Sequence, residues 1–183
     1  MQQTLFALVA LMVLTFLSFN QQQSFMRVQG EMVDMEMEVM ASGVALQVME
    51  YIARKDYDEV TKDGNRIDNV NALTAASSFG AGGMPCKVYP FSEDKSAYGD
   101  CDDLNDFHDM PLEPVPFILQ DDTLYFNVTV QIQYLNAAGE PTTSKSFEKR
   151  ATVRVRNTGD TQFMKHPIWL SRTFSYQKMK RTL

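Results

Sequence analysis

The sequence predicts an α+β fold in which one long N-terminal α-helix packs on a small antiparallel β-sheet domain. Three observations indicate this fold. An uncharged, mostly apolar segment opens the chain. Apolar residues at steps of three and four follow it, as on one face of an α-helix. Later segments alternate apolar and polar residues, as strands with one buried face do. We therefore predict a helix over residues 1–60 and a β-rich head over residues 61–183.

Composition limits the class of protein. The chain has 183 residues, enough for one ordinary domain with an extension. Its net charge of −6 argues against nucleic acid as the main partner. The charge is zoned, because residues 1–26 carry no charged side chain and Arg27 is the first. This zoning is the main sequence clue to function.

The segment from Leu5 to Phe19 reads LFALVALMVLTFLSF. Its length lies between that of a signal-peptide core and that of a full membrane span. No Lys or Arg precedes it and no Ala-x-Ala pattern follows it, which disfavours a cleaved signal peptide. Two interpretations remain: a simple membrane anchor, and a helix that lies first in a membrane and later in a bundle of helices.

The sequence after this segment favours the second interpretation. Apolar residues recur at helical spacing from Phe25 to Met49, with Ser42 filling the one gap, and no proline occurs before Pro85. We predict an apolar part over residues 1–24 and an amphipathic part over 25–60, about 85–90 Å of helix in all.

The head is too small to cover such a helix, so other subunits must bury its outer half. The residues expected to pack there are Leu5, Phe6, Leu8, Val9, Leu11, Met12, Val13, Phe16, Leu17, Phe25, Val28, Met32, Met35 and Val39.

The head is predicted to contain an antiparallel meander of at least three strands. Residues 124–134 alternate apolar and polar side chains almost strictly. Segments 146–155 and 168–176 give two further strands, and the turn-rich stretches 136–141 and 157–160 separate the three.

Two other segments of the head are less regular. Residues 61–84 are rich in Gly, Ala, Ser and Asn and are predicted to form a connecting loop with one helical turn. Residues 112–117 contain two prolines, which predicts an edge strand or a linker.

Cys86 and Cys101 are the only cysteines. Their close spacing suits one disulfide formed in an oxidising compartment. Closing a loop of about 15 residues would stabilise the fold by roughly 3 kcal/mol. The alternative is two free, buried thiols.

Acidic residues crowd around Cys101. Calcium binds several carboxylate oxygens in a loop, so we regard these side chains as candidate ligands, although their spacing does not match the helix–loop–helix calcium motif. The simpler interpretation is a solvated acidic loop. The candidates are Asp100, Asp102, Asp103 and Asp106.

Nothing in the sequence predicts an enzyme, and no cofactor is expected. The chain has two histidines, His108 and His166. A zinc site built from Cys and His would need both cysteines reduced, and catalytic zinc usually takes three protein ligands. No nucleophile is placed beside a base. The glycine cluster at 80–83 lacks the Lys-Ser/Thr ending of a phosphate loop.

One glycosylation pattern is present. Asn127-Val128-Thr129 fits the N-glycosylation acceptor motif. Asn127 is the candidate site, although it is predicted to lie in the middle of a strand and so short a pattern also occurs by chance.

In the order of its parts, the chain resembles the type IV pilin-like family. The apolar Leu5–Phe19 segment, the amphipathic 25–52 segment, the Cys86–Cys101 loop and the later strands carry the resemblance. It implies a pilin or pseudopilin, major or minor, that is inserted in the inner membrane before assembly and then forms a homo-oligomeric helical filament on the cell surface.

The chain departs from the family pattern at its start. Leu5 stands where the family usually has a glutamate that is proposed to pair with a neighbour's N-terminal amine. Either the amine is modified, or Thr4 and the Gln2 and Gln3 amides solvate it, or the start lies nearer solvent. No basic leader precedes Met1, which is either the first mature residue or the initiator. The helix also lacks the family's kinking proline, so we expect a straighter helix.

We therefore predict a structural subunit of a type IV pilus-like filament that polymerises through its N-terminal helix. Two alternatives remain open: a single-span, membrane-anchored surface binding protein, and a minor pilin or a pseudopilin of a secretion system.

Overall fold

The computed structural model describes residues 2–80, 101–109, 114–119, 122–158, 164 and 166–176. It confirms the predicted α+β fold, with one long N-terminal helix and an antiparallel β-sheet. Helix α1 spans Gln2–Ile52. The strands are β1 (Val115–Leu119), β2 (Asp122–Leu135), β3 (Pro141–Thr142), β4 (Glu148–Asn157) and β5 (Ile168–Ser175).

The chain divides into two compact units. The first unit, residues 1–37, consists in its described part of the amino-terminal portion of α1. The second unit, residues 38–183, contains the rest of α1 and the whole β-sheet.

Helix α1 ends at Ile52, earlier than the predicted end near Val60. The last turn tightens, because Arg54 N donates to Tyr51 O and Lys55 N to Ile52 O. The backbone of Asp56 then exchanges hydrogen bonds of 3.0 Å with the Asp102 carbonyl and the Leu104 amide. This pairing with a distant segment turns the chain away from the helix axis. No pattern in the neighbouring sequence predicts it.

The sheet is an antiparallel meander with the order β1-β2-β4-β5, and the short β3 pairs with the end of β2. The predicted alternation in β2 is confirmed, since Phe126, Val128, Val130, Ile132 and Tyr134 are all buried. The strands predicted over 146–155 and 168–176 correspond to β4 and β5.

The structure also describes parts of the two less regular segments, 112–117 and 61–84. Among the described strands β1 pairs only with β2, so Pro116 lies in an edge strand, where a missing N–H disrupts no inner ladder. The described part of the predicted 61–84 loop contains three short 3-10 turns rather than one. They span Glu59–Gly64, Val70–Ala72 and Ala76–Ser78.

The hydrophobic core of the second unit lies between one face of α1 and the buried face of the sheet. Close to this contact, Arg172 of β5 donates to Glu50 of α1 at 2.9 Å. The fully buried residues of the helix are Ala41, Val44, Ala45, Val48, Met49 and Ile52.

Candidate functional site: an exposed apolar helix and a buried lysine cluster

The amino-terminal half of α1 exposes large apolar side chains in all directions. These side chains occupy nearly consecutive positions, and successive helical residues point in different directions, so together they surround the helix axis. Their exposed fractions lie between 52% and 75%. They are Phe6, Leu8, Val9, Leu11, Met12, Val13, Leu14, Phe16, Leu17 and Phe19. The predicted packing residue Leu5 also lies in α1, outside the part whose side chains the structure describes.

By length and composition, α1 is the one helix in the described part of the chain that could cross a membrane. The uncharged stretch of α1 before Arg27 spans residues 2–26, more than the roughly 20 residues that a bilayer core requires.

Apolar side chains also stay exposed beyond this stretch. In the first unit Phe25, Val28, Met32 and Met35 are each more than half exposed, and in the second unit Val39 and Leu46 are. Charged residues accompany them, including an Arg27–Glu31 ion pair of 3.3 Å between Nε and Oε1.

The apolar residues predicted at helical spacing from Phe25 to Met49 therefore belong only partly to the core. Of its members in the second unit, Met49 is buried, whereas Val39 and Leu46 are exposed. On a neighbouring face of the helix, Val44 and Val48 are buried instead. Because apolar residues occupy more than one face of α1, periodicity alone could not indicate which face the sheet covers.

The acidic residues near Cys101 are used in local hydrogen bonds. Asp103 Oδ1 accepts from the Asn105 and Asp106 amides at 2.6 and 3.2 Å. Asp106 Oδ2 accepts from the Asp102 amide at 3.0 Å. Lys62 Nζ lies 2.7 Å from Asp102 Oδ2. In the described residues, no group of three or more His, Cys, Asp or Glu side chains is arranged to hold a metal ion.

The pKa of Asp103 is strongly shifted. Burial raises the pKa of this carboxyl to about 6, and the negative charge of Asp106 adds to the increase. The backbone donor at Asn105 opposes the shift.

The predicted disulfide and the predicted glycosylation site both stay predictions. Cys86 and Asp100 lie outside the described residues, so the Cys86–Cys101 disulfide stays a prediction. No free cysteine occurs in the part of the chain that the structure describes. Asn127 lies in β2 with an exposed side chain, opposite Arg156 of β4, and its glycosylation stays a prediction.

A buried lysine is the most unusual feature of the head. Lys149 of β4 has no exposed side-chain surface. Its Nζ donates to Tyr57 O at 2.7 Å, to Asp58 Oδ2 at 2.8 Å and to Asn105 Oδ1 at 2.6 Å. Each hydrogen of an ammonium group therefore has an acceptor.

Asp58 joins this lysine to two other segments. Its Oδ2 also accepts from Asn105 Nδ2 at 3.0 Å, and its Oδ1 accepts from the Thr74 hydroxyl at 2.7 Å. The Tyr134 hydroxyl donates to Thr74 O at 2.7 Å. We call Lys149, Asp58, Asn105, Thr74 and Tyr134 the lysine cluster.

Aromatic rings surround the amine of the cluster. Lys149 Nζ lies 4.3 Å from the ring centroid of Tyr57 and 5.3 Å from those of Phe79 and Tyr134. Burial lowers the pKa of Lys149, although the Asp58 charge opposes the shift. Burial alone would raise the pKa of Asp58, but the Lys149 charge and the hydrogen bonds lower it below its ordinary value.

Sequence reasoning missed this cluster. One signal was available, because Lys149 is in phase with the inward residues Ala151, Val153 and Val155 of β4. Asp58 and Asn105 carried no such signal, since neither lies in a periodic segment.

An open groove of about 810 Å³ lies on the head, in the described part of the chain. His108 lies at this groove, and its Nδ1 accepts from the Ile132 amide at 3.0 Å. Other lining residues are Ser77, Phe79, Gln131, Gln133 and Thr142.

Comparisons of the chain with protein-family models, with curated proteins and with solved structures found no match. The class that the described residues define is an α+β protein with a long apolar N-terminal helix that could span a membrane.

Proposed function

We propose that the chain is the structural subunit of an extracellular, type IV pilus-like filament, which polymerises through α1. The observation that carries this proposal is the exposure of large apolar side chains along α1, from Phe6 to Leu46. Burying one such side chain contributes roughly 1.5–3 kcal/mol, so leaving all of them in water is strongly unfavourable.

A bilayer alone accounts for only part of this surface. It can cover the uncharged first half of α1. The exposed residues Val28, Met32, Met35 and Val39, however, alternate with Glu31, Asp34 and Glu38. A hydrocarbon core disfavours these carboxylates, whereas a helix partner can cover the apolar side chains and leave the charges in water.

Other copies of the chain are the partner that fits best. Each copy brings an apolar surface of the same kind, and helices packed at different heights can bury one another's exposed residues. In this arrangement α1 lies in the membrane before assembly and in the filament core afterwards, and the β-sheet domain lies outside.

Electron microscopy of material sheared from cells that produce the protein tests this proposal. We expect filaments whose subunit, identified by mass spectrometry that includes its N-terminus, is this chain. The variant Val9→Asp places a charge in the helix surface and should abolish assembly, whereas the matched control Val9→Leu should assemble. Normal filaments from Val9→Asp would refute packing through α1.

The groove beside His108 favours one second candidate, a membrane-anchored surface protein that binds a ligand. That function requires the same α1 as an anchor but no contact between copies. Two results would indicate this second function. Detergent-solubilised wild-type protein would stay monomeric, and sheared fractions would contain no filaments.

A further inference from the structure

The lysine cluster brings together the three groups that an amide-forming reaction needs: an amine, a carboxamide and an acid that touches both. We propose that Lys149 and Asn105 form an intramolecular amide bond between Nζ and Cγ, with loss of ammonia. This inference is independent of the proposed filament, because it concerns the head alone.

Proximity is the first argument. Lys149 Nζ lies 2.6 Å from Asn105 Oδ1, one bond away from the carbon that the amine must attack. Both side chains are buried, and they come from separate elements, β4 and the 3-10 turn Asn105–Phe107. Holding two reactive groups in place in this way gives a high effective concentration.

The position of Asp58 is the second argument. Its Oδ2 accepts from the amine at 2.8 Å and from the amide nitrogen Nδ2 at 3.0 Å. One oxygen can therefore take a proton from the attacking nitrogen and return it to the leaving nitrogen, as a general acid–base must. The Thr74 hydroxyl fixes the carboxyl through its other oxygen.

The step balances without an added reagent. The neutral Nζ amine attacks Cγ of Asn105, a C–N bond forms, and one proton passes to Asp58. The tetrahedral intermediate then breaks its Cγ–Nδ2 bond. Asp58 returns the proton to Nδ2, which leaves as ammonia. No group is oxidised or reduced.

The surroundings of the amine suit this step. The rings of Tyr57, Phe79 and Tyr134 exclude water from Nζ. Burial lowers the pKa of Lys149, which increases the fraction of neutral, nucleophilic amine. Asn105 is the expected acyl partner rather than Asp58, because a neutral amide is a better electrophile than a carboxylate.

Mass spectrometry of the purified, full-length, reduced and denatured protein tests the proposal. We expect wild type to be lighter than the Lys149→Arg and Asp58→Asn variants by about 17 Da, the mass of ammonia, after allowing for the substitution itself. Processing of the N-terminus affects all variants alike. The control Lys145→Arg changes a solvent-facing lysine and should keep the mass loss. Tryptic peptides of wild type should include one branched peptide that joins Lys149 to Asn105.

Three results would overturn the assignment. The first is wild-type protein without the mass loss, a measurement that needs no folded variant. The second is a loss that persists in Lys149→Arg, which would indicate a cyclised asparagine. The third is a loss of about 18 Da, which would place the bond at Asp58 with release of water.

Discussion

The Nζ atom of Lys149 lies 2.8 Å from Oδ2 of Asp58, and neither side chain is exposed to solvent. The two residues are 91 positions apart in the sequence. Moving two charges out of water costs several kcal/mol for each, and only complete hydrogen bonding offsets that cost. Both partners meet this condition, so the pair holds the segment after α1 against β4.

Removal of one partner should therefore be severe. Lys149→Met preserves the shape of the side chain but leaves the Asp58 carboxylate buried without its Nζ donor, and it prevents the proposed link to Asn105. We expect the free energy of unfolding to fall by about 3–5 kcal/mol. Chemical denaturation of the detergent-solubilised full chain, followed by circular dichroism, measures this change.

Lys145→Met is the matched control, because Lys145 donates to the Asn71 carbonyl in an exposed hydrogen bond. Its expected effect is within about 0.5 kcal/mol. Equal effects of the two substitutions would show that the buried pair has no special structural role.

Much of the fold could be predicted because its signals are local. The alternation from Phe126 to Tyr134 defines one buried face of β2 without reference to any other strand. The two prolines of 112–117 likewise limited this segment to an edge strand or a linker, and β1 is an edge strand. Helix α1 was evident from its spacing and from the lack of a proline.

The rest could not be predicted because it depends on contacts between distant residues. The end of α1 is determined by backbone pairing of Asp56 with the Asp102–Leu104 segment. Lys149 has the right phase to be buried, but nothing near it in the sequence shows that Asp58 and Asn105 are its partners. Which of the two apolar faces of α1 is buried in the core could not be predicted either, since both have helical spacing.

The raised pKa of Asp103 gives stability a defined pH dependence. Its folded pKa is about 6, above the ordinary value of 3.8. A carboxyl whose pKa is raised by folding stabilises the fold fully below the unfolded value, and this contribution is lost as the pH rises through the folded value. Asp103→Asn removes the dependence, while its amide oxygen can still accept from the Asn105 and Asp106 amides.

We therefore expect Asp103→Asn to gain stability relative to wild type between pH 4 and pH 7, by about 1–3 kcal/mol. Denaturation curves at a series of pH values measure the difference. Asp56→Asn is the control, because it removes the same charge from an exposed side chain. A difference between Asp103→Asn and wild type that does not vary with pH would contradict the assigned shift.

The two faces of α1 in the second unit should respond differently to substitution. Met49 is 1% exposed and Leu46 is 56% exposed. Met49→Ala should lower the free energy of unfolding by about 2–5 kcal/mol, because it leaves a cavity in the core. Leu46→Ala should change it by no more than about 0.5 kcal/mol.

Assembly should show the opposite order of sensitivity. Leu46→Asp leaves the core intact but places a charge on the surface that we assign to contacts between copies. We expect the isolated subunit to unfold like wild type, while the yield of filaments falls sharply in electron micrographs. If Leu46→Asp instead unfolds the subunit, Leu46 belongs to the core. If it assembles normally, this end of the exposed surface lies outside the filament contact, and the contact is confined to the part of α1 before it.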